Sequence, residues 1–236
     1  MAFRLSRDAR LVHFTAADGV RLEGRLTAAS PDRAVFLCHP HPLHGGSMLT
    51  PVILTVEQAF QAAGWTTLAF NFRGVGGSGG THDEGRAEVA DVTGALDFVG
   101  APLAGAPPVV RQRPGLAGPS AAEPPALAIA GYSFGSVVGG QAASTDPRVH
   151  LYLGITPPLN RYDFGFLRAA RCRIALIGAT RDEFCDPARL EALVAGLPGS
   201  PWLRFLETDH FFAEALDDLA AACRDAIAWA GSLIVR

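Results

Sequence analysis

The chain has 236 residues, 49% hydrophobic and 18% charged, with 26 glycines, 17 prolines and a formal net charge of −3. This apolar content excludes a disordered chain, the glycines and prolines follow no collagen-like triplet period, and a domain of this length buries a sizeable core without staples. All 20 basic residues are arginines spread along the chain, so no nucleic acid is expected as a partner.

The first elements read as strands. Residues 11–15 and 20–27 alternate apolar and polar side chains around Asp18-Gly19, a hairpin signal. Residues 34–38 (AVFLC) form a short continuous apolar run, as in a strand covered on both faces. A helix over 51–63, a strand over 65–70 and a helix over 86–99 follow, the last with Val89, Val92, Leu96 and Val99 on one stripe. Then come a strand over 126–130, a small-residue helix over 134–143, and strands over 150–154 and 173–177. Asp186 and Pro187 open a further helix as N-cap and first turn, and a strand over 202–206 precedes a long last helix.

This alternation predicts an α/β fold: a mostly parallel, roughly eight-stranded sheet with helices on both faces and an N-terminal antiparallel hairpin. One domain is expected over 1–236. Residues 101–125 hold seven of the prolines and no periodicity, and read as a Pro-rich loop insertion, solvated rather than a functional flap.

Gly131-Tyr132-Ser133-Phe134-Gly135 is a G-x-S-x-G motif between a strand and a helix. A strand-to-helix turn this tight strains the serine, lifts its hydroxyl clear of the sheet and requires glycine on either side. Ser133 is the expected nucleophile. A serine hydroxyl needs a base, and the base needs an orienting carboxylate. Of the two histidines downstream, His150 opens a strand too close behind the nucleophile helix, whereas His210 follows the last strand. The acid should follow strand 173–177, where Asp182, Glu183 and Asp186 are the candidates. Asp186 is explained as an N-cap, and Asp182 is better placed than Glu183.

Acyl transfer also needs two N–H donors for the oxyanion. One is Phe134, next to the nucleophile. The other should come from the loop 39–48, where Pro40 and Pro42 lack an N–H and leave His41 or Leu43. His41, held between two prolines, is the choice. His39, His41 and His44 could alternatively ligate a metal, but no carboxylate lies near them in sequence, so no metal is expected. The run Asn71-Phe-Arg-Gly-Val-Gly-Gly-Ser-Gly-Gly80 contains G-x-G-x-x-G without the acidic strand end of a dinucleotide site, so its glycines read as a close-packed turn. Arg73 either anchors a neighbouring loop or meets a substrate carboxylate.

The four cysteines form no CxxC pair or metal-finger spacing, the first residues lack a secretory apolar core, and no window resembles a membrane span. Reduced thiols, a cytoplasmic location and no membrane partner are expected, with a homodimer left open.

Residues 39–46 (HPHPLHGG), 71–78 (NFRGVGGS), 131–135 (GYSFG), Asp182 and 209–212 (DHFF) together resemble the α/β-hydrolase superfamily, in particular small bacterial hydrolases with H-P-H-P-L-x-G-G and N-F-R-G-x-G-x-S segments. The resemblance implies a Ser133–His210–Asp182 triad and no cofactor. Residues 155–172 are too short for the helical cap that many of these hydrolases insert there. Leu43, Phe164, Phe166 and Phe211 could line the acyl site, with core filling an equal reading of the aromatics. The expected activity is that of a serine hydrolase on small-molecule esters or thioesters, with peptidase or amidase chemistry as the alternative on the same triad. A non-catalytic or nucleotide-binding α/β module is the reading from another class.

Overall fold

The structure, a computed structural model, describes residue 6 and residues 8–105 and 125–231. Eight strands form one sheet: β1 (Arg10–Thr15), β2 (Arg21–Thr27), β3 (Arg33–Cys38), β4 (Thr66–Phe70), β5 (Ala126–Tyr132), β6 (Val149–Ile155), β7 (Arg173–Ala179) and β8 (Trp202–Leu206), in the order β1-β2-β4-β3-β5-β6-β7-β8. The β1–β2 hairpin is antiparallel and joins β4 antiparallel; every later pair is parallel.

The apolar strand runs feed two cores because successive side chains leave a strand on opposite faces. In β3, Ala34, Phe36 and Cys38 enter one core, and Val35 and Leu37 enter the other. β5 divides in the same way, with Leu127 and Ile129 on one side and Ala128, Ala130 and Tyr132 on the other. Helices α1 (Pro51–Ala62) and α5 (Leu216–Gly231) cover the second face through Val52, Val56, Phe60, Leu219 and Cys223. The first face is covered by α2 (Glu88–Gly105), α3 (Phe134–Thr145) and α4 (Pro187–Ala195), through Val92, Leu96, Val137, Val138 and Leu190.

Helix α2 differs from the expected 86–99. It begins two residues later and runs on to Gly105, into the stretch read as a loop insertion. Ala101, Leu103 and Ala104 are helix formers, and extending a helix is far easier than nucleating one. The rest of that stretch to 124 lies outside the described residues. Val92, Leu96 and Val99 are buried as the stripe requires, with Val89 packed beside them. Between β6 and β7 stands only a 3-10 turn, Gly165–Ala169, so there is no cap. No helix among the described residues is long and apolar enough to cross a membrane. The four cysteines are free thiols, three of them buried.

Candidate active site

The turn from β5 to α3 sets Ser133 at φ 53° and ψ −120°, a left-handed strain that L-residues rarely adopt. Its flanking glycines answer to backbone crowding. A Cβ on Gly131 would overlap the Gly135 carbonyl, and one on Gly135 would overlap the Cys38 carbonyl at the end of β3. The turn is fastened by the Ser133 N–H donating to Ile155 O at 3.0 Å and the Ser136 hydroxyl donating to Ser133 O at 2.6 Å. The half-buried Ser133 side chain stands at the N-terminus of α3, whose free amides favour negative charge.

His210 arrives from the loop after β8, and its Nε2 lies 2.9 Å from Ser133 Oγ. Its Nδ1 lies 2.8 and 2.9 Å from the two carboxylate oxygens of Asp182, in the loop after β7. The Asp182 side chain is wholly buried, and its Oδ1 also accepts the Phe184 and Cys185 N–H groups at 2.8 and 3.1 Å. A carboxylate held by two amides beside an imidazole makes Nδ1 the protonated nitrogen, leaving the Nε2 lone pair facing the serine hydroxyl. The two loops are tied together by the Thr180 and Arg181 N–H groups, which donate to Leu206 O and Thr208 O at 2.9 and 3.0 Å.

The competing carboxylates are placed elsewhere. Glu183 is exposed and contributes its carbonyl, to Asn160 Nδ2 at 2.9 Å. Asp186 caps α4 by accepting the Ala188 and Arg189 N–H groups. His150 stands near the start of β6, where its Nδ1 meets the Leu127 N–H at 3.4 Å.

The loop 39–46 folds back on itself, with the His44 and Gly46 N–H groups donating to His41 O at 3.0 and 3.1 Å. The exposed Leu43 N–H donates to His41 Nδ1 at 3.2 Å, so of the two candidate donors in this loop only the His41 N–H is unused by the turn. His39 is buried and neutral. Its Nδ1–H donates to Pro40 O at 2.6 Å, its Nε2 accepts the Phe72 N–H at 3.0 Å, and burial pushes its pKa down to about 4. Burial first, then the nearby His82 and His44 rings, lower the His41 pKa as well. The His41 ring stands 5.0 Å from that of Phe134.

The glycine run is consumed by its own fold. Gly74 N–H donates to Gly79 O at 3.0 Å, Gly79 N–H to Arg21 O at 2.8 Å and Gly77 N–H to Glu23 Oε1 at 2.6 Å. These three amides are therefore not free to cradle a phosphate, one of them being held by a carboxylate. Arg73 is equally engaged. Its guanidinium grips Asp18 at 2.9 and 3.0 Å and Asp91 at 2.7 and 3.0 Å, so it anchors loops.

Of the expected acyl-site residues, Phe211 is 61% exposed with its ring 5.4 Å from His210, and Leu43 is 69% exposed on the 3-10 turn Pro42–His44. Phe164 is a core residue instead, and the partly buried Phe166 packs beside that core. Phe164 is fully buried, and Phe166, its ring 5.3 Å away, lies against Gly140 in α3, where the absent side chain makes room. Phe184 was missed by the sequence reading: its ring stands edge-on to His210 at 4.8 Å. Only its position two residues past Asp182 hints at this.

No protein-family model matches the chain. An uncharacterised protein of Rickettsia prowazekii is 30% identical over 225 residues, spanning 91% of this chain and 87% of that protein. An α/β serine hydrolase without lid from Xanthomonas campestris has a TM-score of 0.77 at 26% identity, covering 95% of this chain and 96% of its own. A protein of unknown function from Agrobacterium tumefaciens has a TM-score of 0.78 at 29% identity, covering 93% and 95%. Agreement across nearly the whole of both chains, extending to the lid that is missing here too, makes this chain a member of the α/β-hydrolase superfamily in its cap-less form.

Proposed function

We propose that the chain is a serine hydrolase that cleaves carboxylic esters or thioesters of small to medium acyl groups through an acyl-enzyme on Ser133. The observation that carries this reading is the unbroken series of contacts from the Asp182 carboxylate through the His210 ring to the hydroxyl of a strained Ser133. The serine hydrolase from Xanthomonas, alike in fold and in having no lid, adds to it.

In the first half-reaction Ser133 Oγ attacks the acyl carbon while His210 Nε2 takes the hydroxyl proton. The tetrahedral adduct collapses, and the departing alcohol or thiol takes that proton from His210. Water then attacks the acyl-enzyme with His210 again as base, which frees the acid and restores Ser133. Asp182 holds the tautomer and offsets the imidazolium charge. The amides of Phe134 and His41 stabilise the oxyanion, a contribution of about 3 kcal/mol for each donor in acyl-transfer sites. Phe184, Phe211 and Leu43 offer apolar surface at the mouth. The chemistry uses a small-molecule acyl substrate and no cofactor.

Labelling with a fluorophosphonate, together with a series of p-nitrophenyl esters of increasing chain length, tests this. The wild type should be labelled and active; Ser133→Ala should be unlabelled, with kcat/KM lower by about 10^4-fold or more. Equal ester hydrolysis by both proteins overturns the assignment. Cleavage of amides in preference to esters would move the reading to peptidase chemistry on the same residues.

A further inference from the structure

The segment 81–88 packs against the oxyanion loop and brings a second set of chemistry-bearing side chains to its edge. The ring of His82 stands 4.8 Å from that of His41 and 5.3 Å from Phe134. One ligand atom each from His41, His82 and Glu84 lies within 4.8 Å of the others. His82 is the informative member. Its side chain is 6% exposed, both of its ring nitrogens are buried with no hydrogen-bond partner, and Nε2 lies 3.8 Å from Glu84 Oε1. A buried imidazole nitrogen left without a partner is costly unless something takes its lone pair.

The other nitrogen of His82 has a carboxylate beside it. Nδ1 lies 2.7 Å from Oε1 of Glu88 but out of hydrogen-bond alignment with it; the Glu88 side chain is fully buried and accepts the Asp83 and Gly85 N–H groups at 2.7 and 2.9 Å. A small turn of the ring brings Nδ1–H into line with this amide-held carboxylate, which then fixes the tautomer and raises the basicity of Nε2, as it does behind metal-bound histidines.

We propose that His41, His82 and Glu84 bind one divalent transition-metal ion of the zinc class, with Glu88 as the positioning residue behind His82. Two imidazoles and a carboxylate suit that ion and leave its fourth position to water. Bond lengths of that class put neighbouring ligand atoms roughly 3.3 Å apart. The 61% exposed Glu84 side chain and the half-buried His41 can close that gap. Ligation through either nitrogen of His41 gives up the 3.2 Å bond from Leu43 N–H, an exposed amide that water can serve instead. The bound ion joins the loop 39–46 to the segment 81–88 beside the Phe134 ring. Binding at this site stands whether or not Ser133 is a nucleophile.

The test is titration of Zn2+ into the untagged, metal-stripped full chain, followed by calorimetry and by competition with a chromophoric chelator. One ion per chain is expected, with a melting temperature that rises with Zn2+ concentration. His82→Ala and Glu84→Gln should each weaken binding tenfold or more, and Glu88→Gln, which keeps all three ligands, by 10- to 100-fold. Cys172→Ser removes the one partly exposed thiol and should bind Zn2+ as the wild type does. Circular dichroism checks the fold of each variant; should His82→Ala or Glu88→Gln fail to fold, the exposed Glu84→Gln decides alone. Absence of saturable one-to-one binding, or binding unchanged in Glu84→Gln, overturns the proposal.

Discussion

The hydroxyl of Tyr132 donates to the carbonyl of His210 at 2.9 Å, so the residue before Ser133 holds the backbone of the histidine that faces that serine. The two are 78 positions apart in sequence, and both are buried. The position of His210 is thereby referred directly to the turn at Ser133 instead of through the intervening strands.

Tyr132→Phe keeps the ring that packs beside Phe212 and removes only this bond. A buried carbonyl then loses its donor, which costs about 1–3 kcal/mol. Ester turnover should fall about three- to thirtyfold in kcat with KM little changed, because the displaced group is the proposed base and not a substrate contact. Urea unfolding and steady-state kinetics read the two effects separately. A variant with wild-type kcat would show that the His210 loop needs no such tie.

Asp182 does two tasks: it faces His210 Nδ1 and accepts the Phe184 and Cys185 amides. Asp182→Asn preserves an oxygen for the amides but favours the wrong imidazole tautomer. Activity should drop about 10^4-fold while the fold survives, as loss of the orienting carboxylate does in serine hydrolysis. Glu183→Gln, at an exposed position, should leave activity within about twofold. Kinetics on both variants separate the two carboxylates; reversal of this ranking would transfer the role to Glu183.

The elements were legible because each carries a local signal. Alternation and Asp18-Gly19 mark the β1–β2 hairpin, and an unbroken apolar run marks β3 because both of its faces are covered. Ser133 was legible since its strain demands glycine at fixed offsets, and His210 and Asp182 since the order of strands leaves them few rivals. What stayed hidden depends on pairings distant in sequence. Phe166 looks like any apolar residue until α3 offers it Gly140. His82 and Glu84 stand some 40 positions after His41, so the histidines of the loop 39–46 showed no carboxylate partner within their own segment. Arg73, read two ways from sequence, is decided by Asp18 and Asp91 on separate elements.

His39 makes stability depend on pH. Its folded-state pKa of about 4 lies below the ordinary imidazole value of 6.5, because burial opposes the charged form and Nε2 already accepts the Phe72 N–H. Between those values the unfolded chain binds a proton that the folded chain does not, so stability rises with pH. The contribution is fully present above pH 6.5 and is lost as pH falls towards 4, amounting to about 3 kcal/mol. His39→Gln should be less stable at neutral pH yet lose less between pH 6.5 and 4. Urea midpoints measured for both proteins across that range give the difference; parallel curves would deny His39 the effect.

Arg73 bridges Asp18, at the hairpin turn, to Asp91 in α2, whose side chain is completely buried. Asp91 has its pKa raised by burial, against the opposing pull of the Arg73 guanidinium. Arg73→Met removes the cation and leaves a buried carboxylate without its ion partner, which costs about 3–5 kcal/mol. Asp18→Asn disturbs only the half-exposed arm of the bridge and should cost about 1 kcal/mol or less. Since both carboxylates already occupy the guanidinium, neither change should alter KM for neutral or acidic esters at a temperature where the variants remain folded. A selective rise in KM for carboxylate-bearing esters in Arg73→Met, with stability intact, would instead make Arg73 a substrate contact.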